Sequence, residues 1–359
     1  MHLFDLRPKD TREGMYGRRD EISQVTELIE HGSWLVLLGP RMVGKTSIAK
    51  VACNDLPRQY SSVYLNLYGV NSSYGLLEAL AHGISASRTL FEKIKDFLQR
   101  TEEFSVGADS FSIRVTNKPM TRIWDLIAAI GSIKHKTVLV LDEVQELSVI
   151  SGHLLKLLAN IFNTYKNITF VFTGSMMGLI HTLLDPQPTS PLYGRSPAKI
   201  YISPFNESQS LEFLQKGFKE YGRRIDESAL REIVSNLDGI PGWLTLYGNY
   251  VAVRKRTHNK ALEETRKEAR KIIKDELDHF LSGRDRAAHI QALKATSYGA
   301  SWTEIKNAIA MAKGGSANDW TVKTIIDNLV DAMYLAKEEN TNAYRVLDPL
   351  VRYTVKTMK

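Results

Sequence analysis

Eight residues near the amino terminus constrain the fold more than any other feature of the chain. Gly39 to Thr46 reads Gly-Pro-Arg-Met-Val-Gly-Lys-Thr and fits the pattern Gly-x-x-x-x-Gly-Lys-Thr. An apolar run at 33–38 precedes it, and a helical pattern follows it. Because glycines allow a tight turn whose backbone N–H groups surround an anion at a helix N-terminus, the motif predicts a phosphate-binding loop. A chance match is the alternative, and the position between a strand and a helix disfavours it.

The motif also predicts individual roles. Lys45 is expected to reach the β- and γ-phosphates of a nucleoside triphosphate, and the Thr46 hydroxyl is expected to coordinate Mg²⁺. The residues expected to contact the phosphates are Gly39, Pro40, Arg41, Met42, Val43, Gly44, Lys45, Thr46 and Ser47.

A second segment supplies acidic residues at the end of another apolar strand. Thr137 to Leu141 is followed directly by Asp142 and Glu143. We expect Asp142 to hold Mg²⁺ through a water, and Glu143 to orient the attacking water or accept its proton. For Glu143 the alternative is a carboxylate that stabilises a helix N-terminus. The segment is weakly specific by itself, but it becomes specific when a phosphate-binding loop precedes it.

Further apolar runs predict the architecture around these motifs. Val63 to Leu67 and Ile168 to Thr173 read as strands buried on both faces, and helical patterns lie between the strands. This alternation predicts an α/β fold with a parallel sheet and helices on both faces. Residues 104–115 alternate in polarity and contain turn residues, which predicts an inserted hairpin.

The pattern changes to successive helices after Pro204. Asn206 is the expected N-cap of the first, and the charge-rich stretch 259–281 reads as a solvated helix. Three helices from about 284, followed by a short hairpin, predict a winged helix. We therefore expect an α/β nucleotide domain at 1–204, a helical lid at 205–283 and a winged-helix domain at 284–359.

Composition bears on the cellular compartment and on the partners of the protein. The 359 residues include one cysteine, Cys53, so no internal disulfide can form. The net charge of +7 fits a mildly basic surface, with an acidic partner such as nucleic acid as the alternative. The amino terminus lacks the apolar segment of a signal peptide, and no run approaches the roughly 20 apolar residues of a membrane span. The expected location is the cytoplasm, without a membrane partner.

Polar residues beyond the next strand are candidates for contacting the terminal phosphate. The hydroxyls of Thr173 and Ser175 could sense that phosphate or place a water, and a plain strand-to-loop turn is the alternative. Arg195 follows in the next loop. Its guanidinium could stabilise the transferring phosphate in its own subunit or in a neighbour, with a surface arginine as the alternative.

In this order, the motifs resemble the archaeal ATPase family, within the STAND branch of AAA+-related P-loop NTPases. The resemblance covers roughly Met15 to Arg352. The segments that carry it are Tyr16–Glu21, Gly39–Thr46, Leu141–Gln145, Thr173–Ser175, Ser190–Arg195, Asp238–Pro241 and Tyr344–Pro349.

The resemblance implies a ligand and further contacts. It implies ATP or ADP with Mg²⁺, base contacts from Tyr16, Gly17 and Arg18, and Pro241 over the nucleotide. The chain departs from the pattern at the sensor position, where Thr173 or Ser175 replaces asparagine. The arginine that often follows this strand is also missing, and the nearest downstream is Arg195. We therefore expect an ATPase that uses Lys45, Glu143 and Arg195, and expect it to be slow.

Three functions remain open at this stage. The first is a switch in which ATP and ADP favour different lid and winged-helix arrangements, read by an unidentified protein partner or within an oligomer. The second is ATP-dependent DNA binding through the winged helix. Its third helix, Asp319 to Met333, offers only Lys323 as a cation, although the basic cluster Arg254 to Arg256 keeps DNA contact open. The third is a nucleotide-binding scaffold without turnover.

Overall fold

The centre of the molecule is a parallel sheet of five strands. The computed structural model describes residues 2–102, 104–113, 117–174, 179–338 and 341–358. The strands are β1 Leu35–Leu38, β2 Tyr60–Asn66, β5 Lys136–Asp142, β6 Ile168–Thr173 and β7 Ala198–Tyr201, with β3 and β4 in a separate hairpin. Their order in the sheet is β2-β5-β6-β1-β7, and all neighbouring pairs are parallel. The predicted parallel sheet is confirmed.

Helices cover both faces of this sheet, because β1, β5 and β6 are apolar on both sides. One face packs against α1 Arg19–Glu30 and α2 Lys45–Asn54. The opposite face packs against a larger group of helices. These are α3 Ser73–Ala86, α4 Arg88–Gln99, α5 Pro119–Ser132, α6 Ser151–Thr164 and α7 Leu179–Leu184. The predicted covering of the sheet on both faces is therefore present.

Strand β7 was not predicted from the sequence. It forms the edge of the sheet beside β1, where Ile200 is buried while Lys199 and Tyr201 are exposed. An edge strand with one buried side chain lacks the apolar run that identified the others.

The inserted hairpin is confirmed. Its strands are β3 Phe104–Val106 and β4 Phe111–Ile113, and they pair antiparallel. Phe104 and Phe111 lie edge to face, and the Phe111 ring stacks on Phe91 of α4. Val115, which the prediction included, lies outside the described residues.

The second half of the chain is helical. Its elements are α8 Glu207–Glu220, α9 Glu227–Leu237, α10 Pro241–Ala252, α11 His258–Phe280, α12 Arg286–Ala295, α13 Trp302–Ala312, α14 Asp319–Asp331, the antiparallel pair β8 Leu335–Lys337 and β9 Tyr344–Val346, and α15 Pro349–Val355. Asn206 caps α8 as predicted, because its side chain accepts a hydrogen bond from Gln209 N–H. Buried side chains from all these helices form one continuous core. No helix in the described part of the chain has the length and apolarity to cross a membrane.

Helix α11 differs from its prediction as a solvated helix. Its charged residues occupy the outer face, but a stripe of buried residues runs along the opposite face. The stripe consists of Ala261, Leu262, Thr265, Ala269, Ile273, Leu277 and Phe280. This spacing of three and four residues packs the helix against α10 and α15. Frequent charges masked the narrow apolar stripe in the sequence.

The segment before α1 is anchored at both ends rather than extending into solvent. Phe4 is fully buried between α8 and α10, where a Cβ on Gly217 would lie 2.3 Å from its ring. Its carbonyl accepts a hydrogen bond of 2.9 Å from Asn249 Nδ2. Farther along, Lys9 N–H donates to the Ser47 hydroxyl on α2 at 3.1 Å. The segment therefore bridges the helical half and the first turn of α2.

Candidate functional site

The loop between β1 and α2 owes its shape to glycines at its two ends. Gly39 has φ 150°, and a Cβ there would lie 2.4 Å from the Ile202 carbonyl oxygen, so no larger side chain fits. Gly44 has φ 105° and immediately precedes α2, in the left-handed region that glycine enters without strain. The loop thus stands at the carboxyl edge of the sheet with the N-terminus of α2 open to it. This geometry suits an anion.

Lys45 lies against its own loop. Its Nζ donates to the carbonyl oxygens of Gly39 at 2.8 Å and Pro40 at 3.0 Å. Burial lowers the pKa of Lys45, while the nearby carboxylates of Glu143 and Glu276 oppose that shift. The ammonium is held in the concave side of the loop, where the motif requires it.

Asp142 is the centre of a hydroxyl cluster at the end of β5. Its two oxygens lie 3.1 and 2.9 Å from the Thr46 hydroxyl. The hydroxyls of Tyr64 on β2 and Thr173 on β6 also donate to this carboxylate. Burial raises the pKa of Tyr64, and the Asp142 charge adds to that shift. The cluster joins α2 to three neighbouring strands of the sheet.

Asp142 and Thr46 suit a magnesium ion by the chemistry of their donors. Mg²⁺ prefers carboxylate and hydroxyl oxygens and usually takes its other ligands from phosphate and water. The described residues contain no group of three or more His, Cys, Asp or Glu that could hold a metal alone. The pair therefore fits a metal that arrives with a phosphate ligand.

Glu143 occupies a left-handed conformation, with φ 61°, directly after β5. Its N–H donates to the Thr173 hydroxyl at 3.3 Å, and its carboxylate accepts a hydrogen bond from Gln145 Nε2. A short 3-10 helix, Val144–Ile150, begins at the next residue, but the Glu143 side chain makes no capping hydrogen bond to it. The side chain instead lines the cavity beside the loop. Its role as a site residue stays a prediction, and the helix-terminus alternative has no capping hydrogen bond.

A cavity of about 280 Å³ adjoins the loop. Its walls come from the amino-terminal segment, the loop with the start of α2, and the start of α10. The lining residues include Leu3, Asp5, Leu6, Arg7, Pro8, Lys9, Tyr16, Arg18, Arg41, Met42, Val43, Gly44, Lys45, Thr46, Ser47, Glu143, Pro241, Gly242 and Thr245. Most of the residues predicted to bind the nucleotide therefore converge on one space. Sequence reasoning missed the wall at 3–9, which carries no motif.

Of the three residues expected near the base, Tyr16 and Arg18 line the cavity, but Gly17 does not. The Tyr16 ring lies edge-on against Phe205, and its hydroxyl donates to Glu212 at 2.7 Å. Arg18 is buried, and its guanidinium donates to the Ser203 carbonyl oxygen at 2.7 Å. Gly17 faces the neighbouring groove beside α8 rather than the cavity. Tyr16 and Arg18 thus form part of the wall.

The start of α10 contacts the loop directly. Gly242 N–H donates to the Met42 carbonyl oxygen at 2.9 Å, next to Pro241 in the cavity wall. Arg41 also leaves the loop toward the helical half, where its Nη1 lies 3.0 Å from Glu276 Oε2 on α11. Glu276 had no signal in the sequence, because it is one charged residue among many on that helix.

Arg195 lies away from these residues. It precedes β7, whose first residue pairs with Leu35 at the start of β1, so it stands at the amino edge of the sheet. Its guanidinium donates to the Pro191 carbonyl oxygen at 3.0 Å and lies 6.0 Å from the centre of the Phe162 ring. The loop is at the opposite, carboxyl edge. The structure therefore does not bring Arg195 to the loop of its own chain, and Ser175 lies outside the described residues.

Comparisons with known proteins bear on the family and the fold. The family model described as an ATPase domain predominantly from Archaea matches residues 15–247. A Walker-type ATPase of Pyrococcus abyssi is 27% identical, with 99% of both chains covered and a TM-score of 0.77. The ORC2 protein of Aeropyrum pernix, solved as ADPNP and ADP complexes, is 14% identical over 99% of this chain and 96% of that chain, with a TM-score of 0.62, and supports the fold alone. No curated protein matches the chain.

Proposed function

Because this chain belongs to the family of ATPase domains found predominantly in Archaea, we propose that it binds ATP with Mg²⁺ and hydrolyses it. The observation that carries the proposal is the convergence of four side chains at the carboxyl edge of the sheet. Lys45, Thr46, Asp142 and Glu143 come from two sequence segments. Lys45, Thr46 and Glu143 line one cavity, and Asp142 accepts a hydrogen bond from Thr46. Each has the chemistry that phosphoryl transfer to water requires.

The roles follow from the positions of these groups. Lys45 neutralises phosphate charge, while Thr46 and Asp142 hold the magnesium ion, which supplies further charge neutralisation when bound. Glu143 orients a water and takes its proton as the water oxygen bonds to the γ-phosphorus and the bond to the bridging oxygen breaks. Thr173 holds Asp142 and the Glu143 backbone together. The products are ADP and phosphate.

We further propose that turnover is slow. Arg195 is at the other edge of the sheet, and any contact with transferring phosphate has to come from a second copy of the chain. Missing transition-state charge stabilisation of this kind lowers turnover by about 10³ to 10⁵.

The proposed output is a nucleotide-controlled arrangement of three parts: residues 1–204, the lid at 205–283 and a winged helix at 284–359. The hairpin β8–β9 after α14 supports the winged-helix assignment. The contact between Gly242 and Met42 supports coupling, because it joins the lid to the phosphate-binding loop. A switch requires that ATP and ADP differ in affinity for two arrangements.

DNA binding, the alternative, has less support from the proposed reader helix α14. Lys323 is paired with Asp327 at 2.5 Å, and Asp319 at the helix start pairs with Lys306 at 2.8 Å. In the basic cluster, Arg256 pairs with Glu264 at 3.2 Å. Free cations are what phosphate contact needs. Titration with duplex DNA at low salt decides this alternative.

Two substitutions test hydrolysis separately from binding. We expect Glu143→Gln to retain ATP affinity while phosphate release falls by about 10² or more, because the base is lost. Lys45→Ala should weaken binding as well. Fluorescent-nucleotide binding and a phosphate-release assay measure the two effects. If wild type releases phosphate no faster than Lys45→Ala, the protein is a nucleotide-binding scaffold without turnover.

The switch has its own test. We expect small-angle X-ray scattering profiles to differ between the ADP complex and the complex with AMP-PNP, a non-hydrolysable ATP analogue. The Lys45→Ala variant serves as the control that should not respond to either nucleotide. Identical wild-type profiles for both nucleotides would contradict the switch.

A further inference from the structure

Arg41 and Glu276 form an ion pair between the loop and helix α11 of the helical half. The Arg41 Nη1 and Glu276 Oε2 atoms are 3.0 Å apart, although 235 positions separate the residues in sequence. Both side chains keep some exposure, 39% for Arg41 and 30% for Glu276. Glu276 lies on α11, beyond the residues 15–247 that the family model matches. The pair therefore involves a residue outside that model.

The charges around this pair indicate where a phosphate could compete with Glu276 for Arg41. Glu143 and Glu276 both act electrostatically on Lys45, and Glu143 also acts on Arg41. Arg41 directly follows Pro40, whose carbonyl oxygen accepts from the Lys45 ammonium. Arg41, Lys45 and Glu143 all line the cavity, so the two cations of the loop face the same space as one carboxylate.

A phosphate that enters this space meets Glu276 as a like charge. The two negative charges repel each other, and this repulsion is stronger near a protein surface than in bulk water. Burial raises the pKa of Glu276, while the Arg41 charge opposes that shift, so the carboxylate depends on Arg41 as its partner. A guanidinium binds phosphate in the same forked geometry as carboxylate, so Arg41 can exchange one partner for the other.

We infer that Arg41 contacts the terminal phosphate of ATP and gives up Glu276 to do so, which breaks this contact between the loop and α11 when ATP but not ADP is bound. This inference rests on the proposed ATP binding and identifies Arg41 as the arginine that contacts the terminal phosphate. Helix α11 itself stays packed on α10 and α15 through its buried stripe, so the exchange changes a contact of its exposed face only.

The experiment compares the affinities of ADP and AMP-PNP by isothermal titration calorimetry with Mg²⁺ present. We expect Arg41→Ala to weaken AMP-PNP binding about tenfold or more and to change ADP binding less than about twofold, because a charged hydrogen bond to the added phosphate is lost. Glu276→Gln should strengthen AMP-PNP binding several-fold relative to ADP, since the competing charge is removed. Asp278→Asn is the matched control on α11, where the carboxylate pairs with Lys274 and Arg286 instead.

The opposite signs of the two effects keep the test decisive. A misfolded protein cannot bind AMP-PNP more tightly, so tighter binding by Glu276→Gln supports the exchange of partners. Equal weakening of both nucleotides by Arg41→Ala, or an unchanged nucleotide preference in Glu276→Gln, overturns the inference and leaves the proposed function standing. Wild-type protein that binds neither nucleotide overturns both.

Discussion

At the residue scale, Thr173 connects the two acidic residues of the site. It is fully buried at the end of β6, its hydroxyl donates to Asp142, and the same oxygen accepts from Glu143 N–H. One hydroxyl therefore orients both the proposed metal ligand and the proposed base. A buried hydrogen bond to a charged group contributes about 1.5–3 kcal/mol, which makes this position sensitive.

We predict that Thr173→Val lowers phosphate release about tenfold to a hundredfold, because valine keeps the volume but loses the hydrogen bond of roughly 1.5–3 kcal/mol. ADP affinity should change little, since Thr173 does not line the cavity. Thr137→Val is the matched control, because the Thr137 hydroxyl on β5 is buried without a hydrogen-bond partner among the described residues. Equal rates of phosphate release in the two variants would show that the Thr173 hydroxyl has no role in hydrolysis.

The sequence indicated Thr173 only as one of two possible sensors, and it did not indicate Tyr64 at all. Tyr64 is an ordinary half-buried position on β2. Its hydroxyl reaches Asp142 only because β2 is the neighbour of β5 in the sheet. Strand neighbours are set by packing over the whole domain, so no short segment of sequence carries this contact.

At the element scale, the start of α10 makes a close contact with the phosphate-binding loop. A Cβ on Gly242 would lie 2.6 Å from Met42 Cβ and 2.9 Å from its carbonyl oxygen. Both distances are shorter than atoms at van der Waals contact allow, so glycine permits the helix start to meet the loop backbone. The sequence showed this region as a helix break with Pro241, but not the contact.

We predict that Gly242→Ala weakens nucleotide binding by about tenfold or more, or roughly 1.4 kcal/mol, because the loop has to shift from the anion-binding shape. Equilibrium binding of a fluorescent ADP measures the change. Gly152→Ala on α6 is the control, since a Cβ at Gly152 meets nothing within 4 Å. Unchanged affinity in Gly242→Ala would show that the lid contact does not shape the loop.

Helix α11 shows why the same sequence pattern can mislead at this scale. Its mixed charges indicated a solvated helix, and its outer face is indeed charged. The buried stripe nevertheless packs it into the core, and this places Glu276 opposite Arg41. Local charge density describes only the exposed face of a helix, while the partner on the other face is a property of the fold.

At the scale of the whole molecule, a buried hydrogen bond joins the helix that contacts the loop to the carboxyl-terminal helix. Trp243 Nε1 on α10 donates to Asp348 Oδ2 at 2.9 Å, and Asp348 also caps α15 through Leu350 N–H at 2.8 Å. Both side chains are buried. Burial raises the pKa of Asp348 to about 6, while the Trp243 hydrogen bond opposes that shift.

The raised pKa predicts a dependence of stability on pH. The Asp348 carboxyl has a pKa near 3.8 in the unfolded chain and about 6 in the folded protein, so the folded protein binds this proton more tightly. The proton therefore stabilises the fold fully below pH 3.8, and this stabilisation is lost as the pH rises through about 6. A difference of about two units corresponds to roughly 3 kcal/mol. We predict that the free energy of unfolding of wild type falls by about this amount, relative to Asp348→Asn, between pH 4 and 7.

Urea unfolding of both proteins at several pH values measures this difference. Comparison with Asp348→Asn is the control, because it cancels the titration of the other acidic groups. A parallel pH dependence of the two proteins would contradict the raised pKa. The amide cannot ionise, so any remaining slope in the variant belongs to other groups.

What the sequence determined by itself is local. The conformation of the Gly39–Thr46 loop, the placement of Asp142 and Glu143 at a strand end, and strands buried on both faces each follow from a few consecutive residues, because backbone geometry and burial act over short segments. The positions of Arg195, Glu276 and Phe4 were decided by tertiary structure. These depend on which strands are neighbours and which helix faces meet, and such contacts join residues up to more than two hundred positions apart. The loop could therefore be recognised from eight residues, whereas the groups that surround it could be identified only in the folded chain.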